Sequence, residues 1–201
     1  MRKMITVKIN GEERQYPQGA TYEDVTNDYQ QEYENLIALA ARDGKIRELF
    51  KKLTRDCEVT FFTLKDDVGN KTYVRSATML FLKAVFDVYG REAAQSCRVE
   101  FAIGNGSYIS PKEKINATEE NAAKIRNRMR ELVEAKTPFL KRSYSLDNAM
   151  ELFRKEGMKD KEKLFRYRRG SFVNIYEMDG YYDYYYGYML PNAGYVKWFD
   201  V

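Results

Sequence analysis

Histidine is missing from all 201 residues, and this absence removes several kinds of chemistry at once. Without imidazole there can be no Ser-His-Asp or Cys-His nucleophile, no HExxH metal centre and no His-ligated zinc. Cysteine is scarce: Cys57 and Cys97 fall short of a four-thiolate site and allow at most one disulfide. They read as buried thiols of a cytoplasmic protein. No apolar run approaches the roughly 20 residues of a membrane helix, residues 77–82 being among the most concentrated, so no membrane partner is expected. Residues 1–8, with Met1 and Arg2, are basic but lack the apolar segment of a signal peptide. A surplus of one charge is also nearly absent. The 34 Lys plus Arg stand against 30 Asp plus Glu, and the net +4 permits nucleic-acid contact without arguing for it. What chemistry remains must come from carboxylates, Lys, Tyr or a bound cofactor.

The 44% apolar and 32% charged content is that of an ordinary globular chain, long enough for one or two domains. Residues 5–9 alternate apolar and polar, and Asn10-Gly11 then gives a strong hairpin signal with residues 12–16 as the return strand. Thr21 can cap a short helix, with Asp24 as its capping partner. Residues 35–40 and 57–62 read as two further strands, the first followed by an Asp43-Gly44 turn. Hairpin, helix, strand, strand is the order of a β-grasp unit. Residues 65–71 are polar and charged and read as a linker.

From Thr72 the pattern turns helical. Residues 73–89 are apolar around most of the helix, with one polar stripe at i+4 steps: Arg75, Met79, Lys83, Asp87. Residues 97–109 alternate around Gly104-Asn105-Gly106, a hairpin pattern. Thr118 opens a helix with Ala122, Ile125, Met129, Leu132 and Val133 on one face. Residues 139–144 read as a strand, Ser145 as the cap of a helix that stops at Gly157, and residues 171–201 as antiparallel strands. No Walker-type loop occurs: Gly69-Asn70-Lys71-Thr72 lacks the first glycine and the loop length that cradle phosphates.

In order and local strings, residues 1–64 resemble a TGS domain, with Asp56 to Val59 leading into Phe61 to Leu64 as its last strand does. Residues 72–201 resemble the editing domain of threonyl-tRNA synthetases, shared by alanyl-tRNA synthetases. The strings that carry this are RMRELVEAKTPFLKRSYSLDNAMELFRKEGMKDKEKLF (128–165) and DYYYGYMLPNAGYVKWFDV (183–201). The resemblance implies an α+β fold: a β-grasp TGS-like domain, then an editing-like domain with a long helix over an antiparallel sheet. In such editing domains an HxxxH pair, a Cys and a further His hold the metal. Here those positions carry Met79, Lys83, Tyr185 and Met189, with Arg75 and Asp183 as groove neighbours. The resemblance therefore implies lost editing chemistry, with no zinc and no ester hydrolysis.

The chain also resembles the N-terminal region of bacterial nucleoside or uridine kinases that join a TGS domain and a synthetase-like domain to a kinase domain. They share the tyrosine-rich DYYYG string and the loss of the His and Cys set. This implies a non-catalytic accessory region whose partner is a downstream kinase domain beyond Val201, where the chain ends in an apolar, strand-like run. ATP and magnesium would belong to that kinase domain, and no cofactor to this chain. The alternative is a tRNA-binding or residual aminoacyl-ester-binding module derived from a threonyl-tRNA synthetase. A third reading makes it an enzyme acting through Lys83, Tyr185 and Asp183.

Tyr181 to Tyr188 could stack nucleic-acid bases or simply pack, with Tyr182, Tyr184, Tyr186 and Tyr188 on one strand face and Tyr181 and Tyr185 on the other. Lys83 could attract an anion into an altered cleft, or pair with Asp87 on an exposed stripe. Lys124, Arg126, Arg128, Arg130, Lys141, Arg142, Arg166, Arg168 and Arg169 could hold an RNA backbone or form a solvated face.

Overall fold

A computed structural model describes residues 3–104, 106–111, 114–168 and 170–201. Met1, Arg2, Asn105 of the expected turn and Arg169 of the basic set lie outside the described residues. The chain forms two compact units: residues up to Ser76 with Gly187–Pro191, and Ala77–Tyr186 with Asn192–Val201. The fold is α+β, as the element order implied.

In the first unit, β1 (Met4–Ile9) and β2 (Glu12–Pro17) form the expected hairpin, closed by Asn10 and Gly11 at positive φ. Helix α1 (Tyr22–Tyr29) starts in a complete capping box, Thr21 and Asp24 each satisfying the other's backbone N–H, worth about 1 kcal/mol. A 3₁₀ turn, Gln30–Glu32, follows. Strands β3 (Ile37–Arg42), β4 (Lys45–Glu48) and β5 (Cys57–Thr63) complete a mixed sheet of order β2-β1-β5-β3-β4, in which only the β1–β5 pair is parallel. Ile5, Val7 and Ile9 alternate inward, and with Val25, Tyr22, Tyr29, Leu39 and Val59 they form a sealed core. Each side chain of this size contributes roughly 1.5–3 kcal/mol by burial. Strand β4 was not anticipated, because its charged sequence KIRE carries no strong alternation.

Helix α2 (Asp67–Tyr89) corrects the linker expected at residues 65–71. Asp66 accepts from Thr63 N at 2.7 Å, Asn70 N reaches Asp66 O at 2.8 Å, and Lys71 pairs with Asp67 at 2.7 Å. The local polarity therefore marks an exposed first helical turn. The Gly69 to Thr72 string lies within this helix. The division between the two units also falls inside it, after Ser76.

In the second unit, α3 (Arg91–Ser96) leads into the hairpin β6 (Arg98–Ile103) and β7 (Gly106–Ser110). Helix α4 (Glu119–Glu134) is capped by Thr118 and buries Ile125, Met129 and Leu132. Strands β8 (Leu140–Ser145), β9 (Phe172–Met178) and β10 (Tyr181–Asp183) form an antiparallel sheet of order β10-β9-β8. On it packs a core of Ala149 and Phe153 from α5 (Leu146–Lys155), Phe165 from α6 (Lys159–Phe165), and Val173 and Ile175. The extended reading of residues 171–201 holds only to Asp183. Beyond it the chain leaves the sheet and ends around a 3₁₀ turn, Ala193–Tyr195, whose Ala193 N reaches Thr137 O. No helix among the described residues is long and apolar enough to cross a membrane.

Candidate binding site

Helix α2 and the segment after β10 carry the four substituted positions, each of them committed to its own surroundings. Met79 is fully buried. Lys83 is 2% exposed, with Nζ 2.8 Å from Asp87, 3.2 Å from the Asp179 carboxylate and 2.7 Å from the Asp179 carbonyl, and the Phe86 ring 5.4 Å away. Asp87 also accepts from Arg128 Nε at 2.8 Å, and Arg128 pairs with Glu131 at 2.7 Å. The expected Lys83–Asp87 pair forms, but inside the protein. The exposed stripe is corrected, because β9 and β10 with their Asp179 turn and α4 cover this side of the helix.

Within the first unit Met189 is fully buried. Its N–H donates to Glu48 Oε1 at 3.2 Å, and its Sδ lies 3.9 Å from Ser76 Oγ. Ser76 Oγ accepts from Leu190 N at 2.9 Å, and Arg75 Nη1 donates to Tyr188 O at 3.2 Å. The groove neighbour Arg75 thus holds backbone. A metal of the kind the family resemblance implies does not fit these residues. Lys83 is an ammonium ion bound to carboxylates, and neither thioether stands in for imidazole or thiolate.

Tyr185 and Asp183 belong to a different set. The period-two alternation of β10 turns Tyr181 and Asp183 inward and Tyr182 toward the partly exposed side. Asp183 is 7% exposed and accepts from Tyr184 N at 2.7 Å, while Lys161 of α6 approaches its carboxylate to 3.5 Å. Lys161 also pairs with Asp160 at 3.1 Å. The Tyr181 hydroxyl points at Asp183 from 3.5 Å, the outer limit of a hydrogen bond. The Tyr185 hydroxyl is sealed from solvent without a well-formed hydrogen bond, although the Asp183 charge acts on it; its ring meets Tyr176 edge-on at 6.4 Å. Asp183, Lys161, Tyr181 and Tyr185 thus meet in one buried polar cluster. Lys161 escaped sequence reasoning, since a lysine in the charged run KDKEK has no signal that separates it from a solvated one.

Burial pushes the Asp183 carboxyl up, against the opposing Lys161 charge and Tyr184 N–H. Burial alone would lower the Lys161 ammonium, but Asp183 and Asp160 outweigh it and raise it. Burial lifts both phenols well above their ordinary value, with the Asp183 charge adding to it. Between the ordinary carboxylate value and its own raised midpoint, Asp183 holds more proton in the folded than in the unfolded chain. Its contribution to unfolding free energy therefore falls as pH rises through that window and levels off above it. Thermal unfolding measured across the acid range should show this fall, and Asp183→Asn should remove it. An unchanged slope in the variant would assign the effect to other groups.

The remaining tyrosines do not share one strand face, because β10 ends at Asp183. Tyr182 and Tyr184 pack on the core of the second unit, and Tyr186 is 88% exposed. The expected basic face is largely neutralised. Lys124 pairs with Glu120, Arg126 with Asp200 and Glu119, Arg142 with Glu177 and Arg166 with Glu162, while Arg168 donates to the Tyr184 hydroxyl. Both cysteines are half-buried free thiols; burial raises them, Cys97 to about 11, so they are poor nucleophiles.

The chain is 29% identical over 203 residues to the threonine--tRNA ligase of Thermotoga maritima, covering 98% of this chain and 30% of that protein. This chain is similar to the N-terminal region of threonine--tRNA ligases. To the ligase of Porphyromonas gingivalis it is 25% identical over 194 residues, covering 94% of this chain and 29% of that protein. For Symbiobacterium thermophilum the figures are 26% over 203 residues, 100% and 31%. The chain therefore spans about three-tenths of the length of the curated relatives it matches. No family model matches it. The α+β architecture agrees with a TGS and editing-like arrangement. The kinase parentage expected from the sequence draws no support from these relatives, whereas the synthetase-derived alternative does.

Proposed function

We propose that this chain is a synthetase-derived module that binds the aminoacyl end of tRNA without hydrolysing it. The observation that carries this reading is the similarity of nearly the whole chain to the N-terminal region of threonine--tRNA ligases, and the partly exposed Lys161, held by Asp183, is the cation it offers to a ligand. Burial keeps the Tyr181 and Tyr185 phenols protonated at neutral pH, so neither serves as a base for ester hydrolysis. Lys161 supplies a cation, and Asp183 an acceptor for an amino or hydroxyl group. The chain has no imidazole at all, and neither thiol lies at a substituted position, so metal-activated water is not part of the reading. The similarity to threonine--tRNA ligases gives the ligand class, and a kinase domain with ATP and magnesium plays no part in it.

The test compares binding of uncharged tRNA with tRNA carrying a non-hydrolysable 3′-threonyl amide. The wild-type chain should prefer the charged form by about tenfold, the scale of one or two charge-assisted hydrogen bonds. Lys161→Met with Asp183→Asn should abolish that preference. Equal affinity of the wild type for both forms, or deacylation above background, would overturn the reading.

A further inference from the structure

The positive charge of this chain is concentrated in one stretch of the first unit. Residues 42–55 hold six basic side chains, Arg42, Lys45, Arg47, Lys51, Lys52 and Arg55, against Asp43 and Glu48, a surplus equal to the +4 of the entire chain. Everything outside that stretch is neutral in sum. The two acids are already engaged. Glu48 is 2% exposed and accepts from Met189 N, while Asp43 pairs with Arg55 at 2.9 Å and accepts from Glu58 N at 3.1 Å. The nearby carboxylates of Asp24 and Asp56 accept from Thr21 N and Thr6 N.

The fold then puts the cations together. In the β3–β4 register Ala40 faces Arg47 and Arg42 faces Lys45, so Arg42, Lys45 and Arg47 share one side of the sheet. Arg42 Nη1 donates to Thr54 Oγ1 at 3.0 Å, which steadies the guanidinium without neutralising it. The charges of Arg42 and Arg47 both act on the buried Tyr22 hydroxyl. Lys51 and Lys52 continue the surface. Their backbone is fixed against the start of α1, Tyr22 N reaching Lys51 O at 3.0 Å and Thr21 bridging to Lys52, while their side chains are exposed. Among the described residues Lys45, Arg47, Lys51 and Lys52 form no ion pair, unlike Lys124, Arg126 and Arg128 on α4.

A protein partner would need apolar anchors among these charges, and none of the large exposed hydrophobic side chains falls between residues 42 and 55. Cations on the β3–β4 hairpin and an adjoining fixed loop, where the half-buried Phe50 ring lies 5.2 Å under Lys51 Nζ and no large apolar side chain is fully exposed, match a line of phosphates. We propose that Arg42, Lys45, Arg47, Lys51 and Lys52 form a contact surface for the phosphate backbone of RNA. This inference does not rest on the aminoacyl-end reading, because it concerns the other unit and needs no 3′ group.

The full chain should bind a fluorescent RNA hairpin that carries no aminoacyl group, with log K falling linearly against log salt concentration. Five phosphate contacts predict a slope of about −4. Lys51→Gln with Lys52→Gln should reduce the steepness by about 2 and weaken binding at least tenfold near 0.1 M salt. The charge-matched control Lys159→Gln with Lys163→Gln, on α6, should leave both unchanged. Circular dichroism melts of both variants report that the fold is intact. Equal losses in the two variants, absence of salt-dependent binding, or equally tight binding of polyglutamate would each overturn the assignment. Failure of the amide-preference test leaves this outcome untouched.

Discussion

Replacing Asp87 with alanine should destabilise the second unit by about 3 kcal/mol, the cost of stranding a buried charge. Lys83 is almost wholly enclosed, and its partners are the carboxylates of Asp87 and Asp179 and one carbonyl. Asp179 is 67% exposed at its side chain and screened by water, so Asp87 supplies most of the compensation. Removing Asp87 also deprives Arg128 of a partner, although Glu131 remains. Lys83→Met is the opposite case. It keeps the volume, leaves Asp87 bound to Arg128 and should cost about 1 kcal/mol or less. In the Lys83→Met background Asp87→Ala should in turn become mild, because no buried ammonium is left to strand. Denaturant unfolding of the three variants gives the coupling. Additive losses would show that Lys83 and Asp87 are stabilised independently.

Gly69→Ala should lower the stability of the first unit by about 1–3 kcal/mol, although alanine is ordinarily the better helix residue. In an exposed helix the exchange gains roughly 1 kcal/mol. At position 69 a Cβ would overlap the backbone carbonyl of Thr63, which cannot move aside as a side-chain tip can. Either α2 shifts or the end of β5 does, and overpacking of this kind costs about 1–3 kcal/mol beyond the lost propensity gain. The neighbouring Asn70→Ala serves as the control, since Asn70 is exposed and should gain a few tenths of a kcal/mol. A stabilised Gly69→Ala variant would mean that α2 and β5 part easily. Thermal melts decide the sign directly.

These expectations differ in how much of them could be read without coordinates. The β1–β2 hairpin, the Thr21 and Thr118 caps and the buried face of α4 rest on interactions within a few residues, so the local pattern was sufficient. Strand β4 and helices α3 and α6 are short and charged, and they take their conformation from what they pack against. Residues 67–71 have a loop's composition, but Asp66 and the first-turn Asp67–Lys71 pair make them the start of a helix. After Asp183 the tyrosine run has a strand's composition, yet Tyr184 packs on Phe165 of α6, Tyr185 meets Tyr176 of β9 and Tyr186 is exposed.

For the candidate sites the division is similar. The sequence by itself determined the chemical inventory: no imidazole anywhere, two thiols, and a net charge equal to the surplus of residues 42–55. The resemblance read from it implied that Met79, Lys83, Tyr185 and Met189 stand at substituted positions. Only the tertiary structure decided what those side chains do. It buried Lys83 between Asp87 and Asp179, turned Met189 into packing beside Ser76, and joined Tyr185 to Asp183 and a lysine 22 residues before it. Residue type fixes which bonds and charges a group can offer. Which groups meet, and how much water remains between them, depends on contacts between segments far apart in the chain.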